Sequence, residues 1–412
     1  MRDSQNTCYV GLDIGTSQVR CVVGMMDQDS AGKLSIIGHG SAKNNGMRKG
    51  MVVHVDDVAE AIIQAINEAE RISGQQIRHA TVNVNGSHVL GFNSKGVIAI
   101  SAANREIAIE DRMRVEEAAT VVSLPANREI IQFFAKSYSL DGQTNIKDPV
   151  GMHGIRLEVN AHIVTGATPN LRNLAQALEK AEVSASNYSV SSLAAAEAVL
   201  SRQQKEAGTL VLDIGAGTTN MIVVEDGEIQ HVAVIPAGGI NLTNDLAIGL
   251  KTDLDVAEKV KLEHASLLEE HRNRSNVSVK LHKQTYNFEF GDIAMITEAR
   301  IEELLELVDK ELIKIKKSHK LPGGVVLTGG TAALPGLAEF TKNKLQLPAR
   351  VGKIQNVGGL VDTVEGTSYC TVVGLMMLDM LLLPNALLPQ ASGSLIDSFS
   401  SAQNFLKRFL KK

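Results

Sequence analysis

Two blocks of the chain, about two hundred residues apart, carry the same order of apolar and polar positions. In each, an apolar run ends in Asp-Ile-Gly, a short Gly/Thr/Ser stretch follows, and a second apolar run begins. The first block is Val10-Gly11-Leu12-Asp13-Ile14-Gly15-Thr16-Ser17 leading into residues 19–25. The second is Leu210-Val211-Leu212-Asp213-Ile214-Gly215-Ala216-Gly217-Thr218-Thr219 leading into 221–224. Short apolar runs bounded by turn residues predict strands, so each block reads strand, turn, strand. Residues 34–39 and 229–235 supply a third strand after each hairpin, and helical spacing follows at 55–73 and 242–250. The pattern is a duplicated βββα unit.

Between the first unit and its return helix, residues 85–164 read as a small separate α/β subdomain. A helix is expected over 107–122 and strands over 130–140 and 155–164, with turns at Asp141-Gly142 and Asp148-Pro149-Val150-Gly151. Residues 292–317 predict a long amphipathic helix with Ile301, Leu304, Leu305 and Val308 on its packing face. The most apolar stretch, 370–383, is broken by Asp379 and falls short of the roughly 20 apolar residues of a membrane span. After a Pro/Ser/Gly-bearing linker at 384–393 comes a final stripe. Advancing about 100° per residue, Leu395, Ile396, Phe399, Ala402, Phe405, Leu406, Phe409 and Leu410 share one half of a helical wheel. Asp397, Lys407, Arg408, Lys411 and Lys412 share the other. Phenylalanines on one side and basic residues at the end predict a helix lying in a bilayer interface.

The repeated turns carry the first candidate chemistry. A Walker loop or a dinucleotide fingerprint feeds a helix, whereas these turns feed a strand, which disfavours both nucleotide folds. Glycine lets the backbone approach a phosphate closely, and successive turn N–H groups form an anion nest. Gly15, Gly215 and Gly217 fill the first role, and Thr16, Ser17, Thr218 and Thr219 add hydroxyl donors. Asp13 and Asp213, at the strand ends, are placed to serve a magnesium ion travelling with the phosphates, through its waters.

With Val325-Val326-Leu327-Thr328-Gly329-Gly330-Thr331-Ala332-Ala333-Leu334-Pro335-Gly336, the two turns resemble the actin, heat-shock-70 and sugar-kinase superfamily. In that superfamily the third element is the adenosine motif, so Gly329, Gly330 and Thr331 are expected beside a purine. The implied fold is actin-like and α/β: two duplicated βββα-based lobes around a nucleotide cleft, with ATP and Mg as cofactors. Glu258 and Lys261, one helical turn apart, sit where relatives place ribose and adenine contacts.

Composition agrees with this frame. A chain of 412 residues that is 44% hydrophobic and 21% charged suits two lobes with sizeable cores. The net charge of −5 gives no reason to expect nucleic acid. Cys8, Cys21 and Cys370 are scattered and odd in number, which fits a reducing compartment and disfavours a structural zinc site. The first residues lack the apolar stretch of a signal peptide.

The insertion point, the run Asp148-Pro149-Val150-Gly151-Met152-His153-Gly154, the segment Ser191-Ser192-Leu193-Ala194-Ala195-Ala196-Glu197 and the terminal stripe occur in an order that resembles the bacterial FtsA cell-division family across essentially the whole chain. That resemblance implies several things. The first lobe spans 1–84 and 165–205, the insert 85–164, and the second lobe 206–383 with a smaller subdomain at about 243–310. A linker at 384–393 leads to a membrane-targeting helix at 394–412. The implied role is to anchor the tubulin-like FtsZ ring to the cytoplasmic face of the inner membrane at the division site. Self-association as an actin-like polymer and recruitment of later division proteins through the insert go with it. Bacterial actins and heat-shock-70 proteins place a Glu before Pro-x-Ala-Ala-Ala; here that position is Ser191, and Glu197 lies six residues on. ATP binding is therefore expected with weak turnover or none, and the catalytic residue stays unassigned. A pilus-assembly actin homologue and a small-molecule kinase of the superfamily are the alternatives.

Overall fold

The structure, a computed structural model, describes residues 8–26, 34–101, 104–269, 276–281 and 284–382. Two sheets repeat one plan. In the first, Cys8–Ile14 pairs antiparallel with Gln18–Met26, which pairs antiparallel with Leu34–Lys43. On the other side of Cys8–Ile14 lies the parallel strand His79–Val84, followed by Ser184–Val190. In the second, Thr209–Ile214, Thr219–Glu225 and Glu228–Ile235 form the same meander, and Gly324–Thr328 is the parallel neighbour. Ile14 stands opposite Val19 and Ile214 opposite Thr219, so both turns close in the same register.

Periodicity explains the first helix, Val55–Ser73. Val58, Ala61, Ile62, Ala65, Ile66 and Ala69 recur at three- and four-residue spacing and are buried against the first sheet. Gly74 ends it in the left-handed conformation, its N–H returning to the Glu70 carbonyl. In the other half the corresponding helix is Gly239–Gly249. With Leu254–His264, the hairpin Asn276–Leu281/Gln284–Glu289 and Phe290–Lys314, it encloses a separate core around Leu246, Val260 and Ile293. On Phe290–Lys314, Ile301, Leu304, Leu305 and Val308 are buried as the pattern requires.

The end of the described chain returns to the first lobe. Val357–Gly359 joins the edge of the first sheet beside Leu34–Lys43. The helix Cys370–Leu382 then lies between that sheet and the helix Ser191–Val199. It is buried nearly all round, which is why its sequence is so apolar. Gly11 makes the contact possible: a Cβ there would stand 2.2 Å from the Val372 carbonyl oxygen. Val357–Gly359 and Cys370–Leu382, placed by sequence in the 206–383 lobe, are thus packed on the first sheet, while Thr367 between them bonds Gly329 of the second; apolar composition alone gives no indication of which sheet a buried helix will meet.

The insert has a four-stranded sheet ordered Leu90–Ala99, Arg156–Ala167, Arg128–Leu140, Gln143–Ile146, with Ile109–Thr120 across one face. Its own core holds Val115, Phe133, Leu157 and Ile163. The insert touches the second lobe at the edge strand Glu228–Ile235, where the Val232 N–H donates to His162 Nε2 at 3.0 Å.

Candidate functional site

Each hairpin turn is closed by one backbone bond: Gly15 N–H donates to the Gln18 carbonyl at 3.0 Å, and Gly215 N–H to the Thr218 carbonyl at 2.9 Å. The two turns face each other. A Cβ on Gly217 would lie 2.8 Å from Thr16 Oγ1. Thr218 Oγ1 donates across the lobes to Asn85 Oδ1 at 3.2 Å. Between the lobes lies a cavity of about 370 Å³, a size typical of small-ligand sites. It is lined by Asp13, Gly15, Thr16, Ser17, Asp213, Gly215, Thr218, Glu258, Lys261, Gly329, Gly330 and Thr331, so these sequence-selected residues meet around one space. Gly217 and Thr219 sit outside this lining. Gly217 packs on Thr16 and Lys49, and the buried Thr219 hydroxyl donates to the Ala237 carbonyl at 2.8 Å. The physical reason is strand alternation: Thr219 already belongs to the second strand and turns its side chain away.

The carboxylates are buried and hydrogen-bonded. Asp13 Oδ1 accepts from Asn83 Nδ2 at 2.7 Å, and Asn83 Oδ1 in turn accepts the Ile14 N–H. Burial pushes the Asp13 carboxyl up to about 7, Arg20 opposing and Asp213 adding. Asp213 accepts from Asn220 Nδ2 at 3.3 Å and Thr371 Oγ1 at 3.2 Å. Burial raises its carboxyl too, against those two bonds and Arg20. Two buried, mutually repelling carboxylates on one cavity fit a hydrated divalent cation, which would relieve both.

The Gly-Gly element fits a flat ring. Gly329, at φ +85°, ends the strand Gly324–Thr328, and a Cβ there would press on the Ile214 carbonyl at 2.5 Å and on Asp213 Oδ1 at 2.6 Å. A Cβ on Gly330 would meet nothing within 4 Å. The protein leaves that backbone face open. Opposite it, Lys261 Nζ donates to Glu258 Oε2 at 2.6 Å, to Thr243 Oγ1 at 2.8 Å and to the Gly239 carbonyl at 3.3 Å. This ties the Glu258–Lys261 pair to the start of the Gly239–Gly249 helix.

Ser191, first residue of its helix, lines the cavity, and its hydroxyl accepts from Asn83 Nδ2 at 3.1 Å. Glu197 forms a buried pair with Lys205 at 2.7 Å and lies away from the cavity wall. Sequence reasoning missed Arg20, Asn83, Asn220 and Thr371. Arg20 and Asn220 had a legible signal, since each stands opposite its hairpin's Asp in the ladder, seven residues on. Asn83 and Thr371 come from distant segments and had none.

Duplicated sheets meeting at paired phosphate-type turns, with an open Gly-Gly face beside them, define an actin-like ATPase fold. Solved structures agree on the fold. A PilM-PilN type IV pilus biogenesis complex has TM-score 0.65 and 18% identity, covering 91% of this chain and 99% of that one. MreB5 of Spiroplasma citri bound to ADP has TM-score 0.52 and 12% identity, covering 90% and 95%. The family model "Cell division protein FtsA" matches residues 210–374, and "SHS2 domain inserted in FTSA" matches 86–165. Cell division protein FtsA of Bacillus subtilis (strain 168) is 40% identical over 376 residues, 90% of this chain and 83% of its own length. The chain belongs to the FtsA family of cell-division proteins.

Proposed function

We propose that this cell-division protein binds Mg-ATP in the cavity between its lobes and uses it to set an assembly-competent shape. The observation that carries the reading is the pair of facing turns beside the open Gly330 backbone. Gly15 and Gly215, their own N–H groups spent closing the turns, would let the phosphates approach closely, and Thr16, Ser17 and Thr218 would grip them from both lobes. Asp13 and Asp213 would hold the hydrated magnesium, which supplies charge neutralisation. Gly330 and Thr331 would seat the purine, with Glu258 and Lys261 toward the ribose and base. MreB5, a neighbour in fold, carries ADP. A ligand gripped from both lobes favours the closed arrangement, a population shift in which binding rather than turnover does the work. Ser191 gives an attacking water no carboxylate, so hydrolysis is slow.

In this reading the chain self-associates as an actin-like polymer, tethers the FtsZ ring to the anionic inner membrane at the division site, and receives later division proteins on its insert. The anchor, Leu395, Ile396, Phe399, Phe405, Leu406, Phe409 and Leu410 with Lys407, Arg408, Lys411 and Lys412, lies outside the described residues, and its support is the sequence stripe. Among the described residues no helix is long and apolar enough to cross a membrane. Flotation with anionic vesicles tests the reading: the full chain should float and carry FtsZ with it, and a chain ending at Gly393 should do neither. Equal flotation of both chains would overturn the anchor.

A further inference from the structure

Arg20 is charged, lines the cavity, and has no part in the grip described above. It stands opposite Asp13 in the first hairpin, where the second hairpin has the neutral Asn220 opposite Asp213. The duplicated site is therefore asymmetric in charge. The Arg20 guanidinium lies 5.3 Å from the centre of the Tyr369 ring, and its Nη2 donates to Gln18 Oε1. Its Nε is buried without a hydrogen-bond partner. A buried donor left unmade is costly, and Arg20 borders the cavity. The same guanidinium pulls down the carboxyls of both Asp13 and Asp213, one on each lobe.

Tyr369 extends the connection. Thr367, two residues before it, exchanges hydrogen bonds with Gly329, its carbonyl accepting at 3.0 Å and its hydroxyl donating at 2.8 Å. Thr371, two residues after it, donates to Asp213. From Cys370 the chain continues as the helix buried against the first sheet. One short segment therefore touches Arg20, the Gly-Gly face, the second-lobe carboxylate and the first-lobe core.

We propose that Arg20 reads the outermost phosphate of the bound nucleotide. This rests on the Mg-nucleotide reading of the cavity. The guanidinium is held at the cavity wall by Gln18 and the Tyr369 ring, with its Nε–H left free. With nucleotide bound, that Nε–H, with one Nη–H, would reach the terminal phosphate. A charge-assisted bond of that kind exists with a triphosphate and is lost or weakened with a diphosphate. Arg20 is then a specificity residue, set against a segment, Thr367 to Thr371, that contacts both lobes.

The test is calorimetric titration of Mg-ATP and Mg-ADP into the native full chain, Arg20→Gln and Arg20→Lys, with urea unfolding of each ligand-free protein as the control for folding. The native chain should prefer the triphosphate. Arg20→Gln should lose about ten- to hundredfold in ATP affinity, the worth of one charge-assisted hydrogen bond, while ADP affinity changes less than about threefold. Arg20→Lys should keep part of the preference. Equal losses for both nucleotides would overturn the proposal, leaving Arg20 as a mere counter-charge for the two carboxylates. Absence of any binding by the native chain would instead defeat the cavity reading on which it rests, so the two failures are distinguishable.

Discussion

Asp379 and Thr81 are 298 residues apart, and the Thr81 hydroxyl donates to Asp379 Oδ1 at 2.7 Å in the buried core of the first lobe. Asp379 Oδ2 accepts the Val10 N–H at 3.0 Å. The one carboxylate thus pins the Cys370–Leu382 helix to two neighbouring strands. Burial raises its carboxyl and these two bonds oppose the rise. Asp379→Leu should destabilise the chain by about 2–4 kcal/mol, since it orphans two buried donors. Asp379→Asn, which keeps an acceptor, should cost less, and urea unfolding followed by circular dichroism gives both values. Equal stability of Asp379→Leu and the native chain would show that the carboxylate is not what docks the helix.

His162 should make docking of the insert pH-dependent. Its Nδ1 faces Asn93 Oδ1 at 2.9 Å and its Nε2 accepts from Val232, so the imidazole is neutral in the fold. Burial, His231 and Lys136 lower it from 6.5 to about 3. His231, itself lowered by burial, is held by Glu311 at 3.3 Å. A depressed group contributes stability that is complete above its unfolded value of 6.5 and lost as pH falls toward 3. At pH 5 the loss from His162 alone is on the order of 2 kcal/mol. His162→Gln should show a flatter pH profile of unfolding between pH 7.5 and 5.

Gly329 and Gly330 are adjacent in sequence and should respond differently. Gly329→Ala combines an unfavourable φ with contacts to Ile214 and Asp213, and should cost about 1–3 kcal/mol of stability. Gly330→Val enters open space and should leave thermal unfolding within a few degrees of native while weakening ATP binding at least about tenfold. Native ATP affinity in Gly330→Val would remove the purine from that face.

Asp13 illustrates a site held at the expense of the fold. Its carboxyl, raised from 3.8 to about 7, contributes stability that is complete below 3.8 and lost as pH rises through 7. Asp13→Asn should therefore unfold at a higher urea concentration than the native chain at pH 8 without ligand. It should also lose magnesium-dependent nucleotide binding. A variant that is both less stable at pH 8 and undiminished in binding would contradict the role given to Asp13.

What was legible in the sequence follows from which interactions are local. The hairpin turns and the Val55–Ser73 helix repeat short-range patterns that the backbone obeys directly. Leu90–Ala99 escaped notice because it is an edge strand whose side chains are nearly all exposed or half-exposed, held by main-chain pairing to Arg156–Ala167. Asp379 read as an interruption of an apolar run, since its partners lie hundreds of residues away. Within the site, the turn glycines and both Asp residues announce themselves. Thr371 and Asn83 reach the carboxylates only through the tertiary fold.

The central claim, a Mg-ATP site shared by the two lobes, is tested most directly by titrating Mg-ATP into the full native chain and into Asp213→Ala. Unfolding of each ligand-free protein is measured in parallel. The expected result is saturable binding of one nucleotide per native chain, with affinity reduced at least about tenfold in a still-folded Asp213→Ala. No binding by the native chain, or equal binding by both, would contradict it.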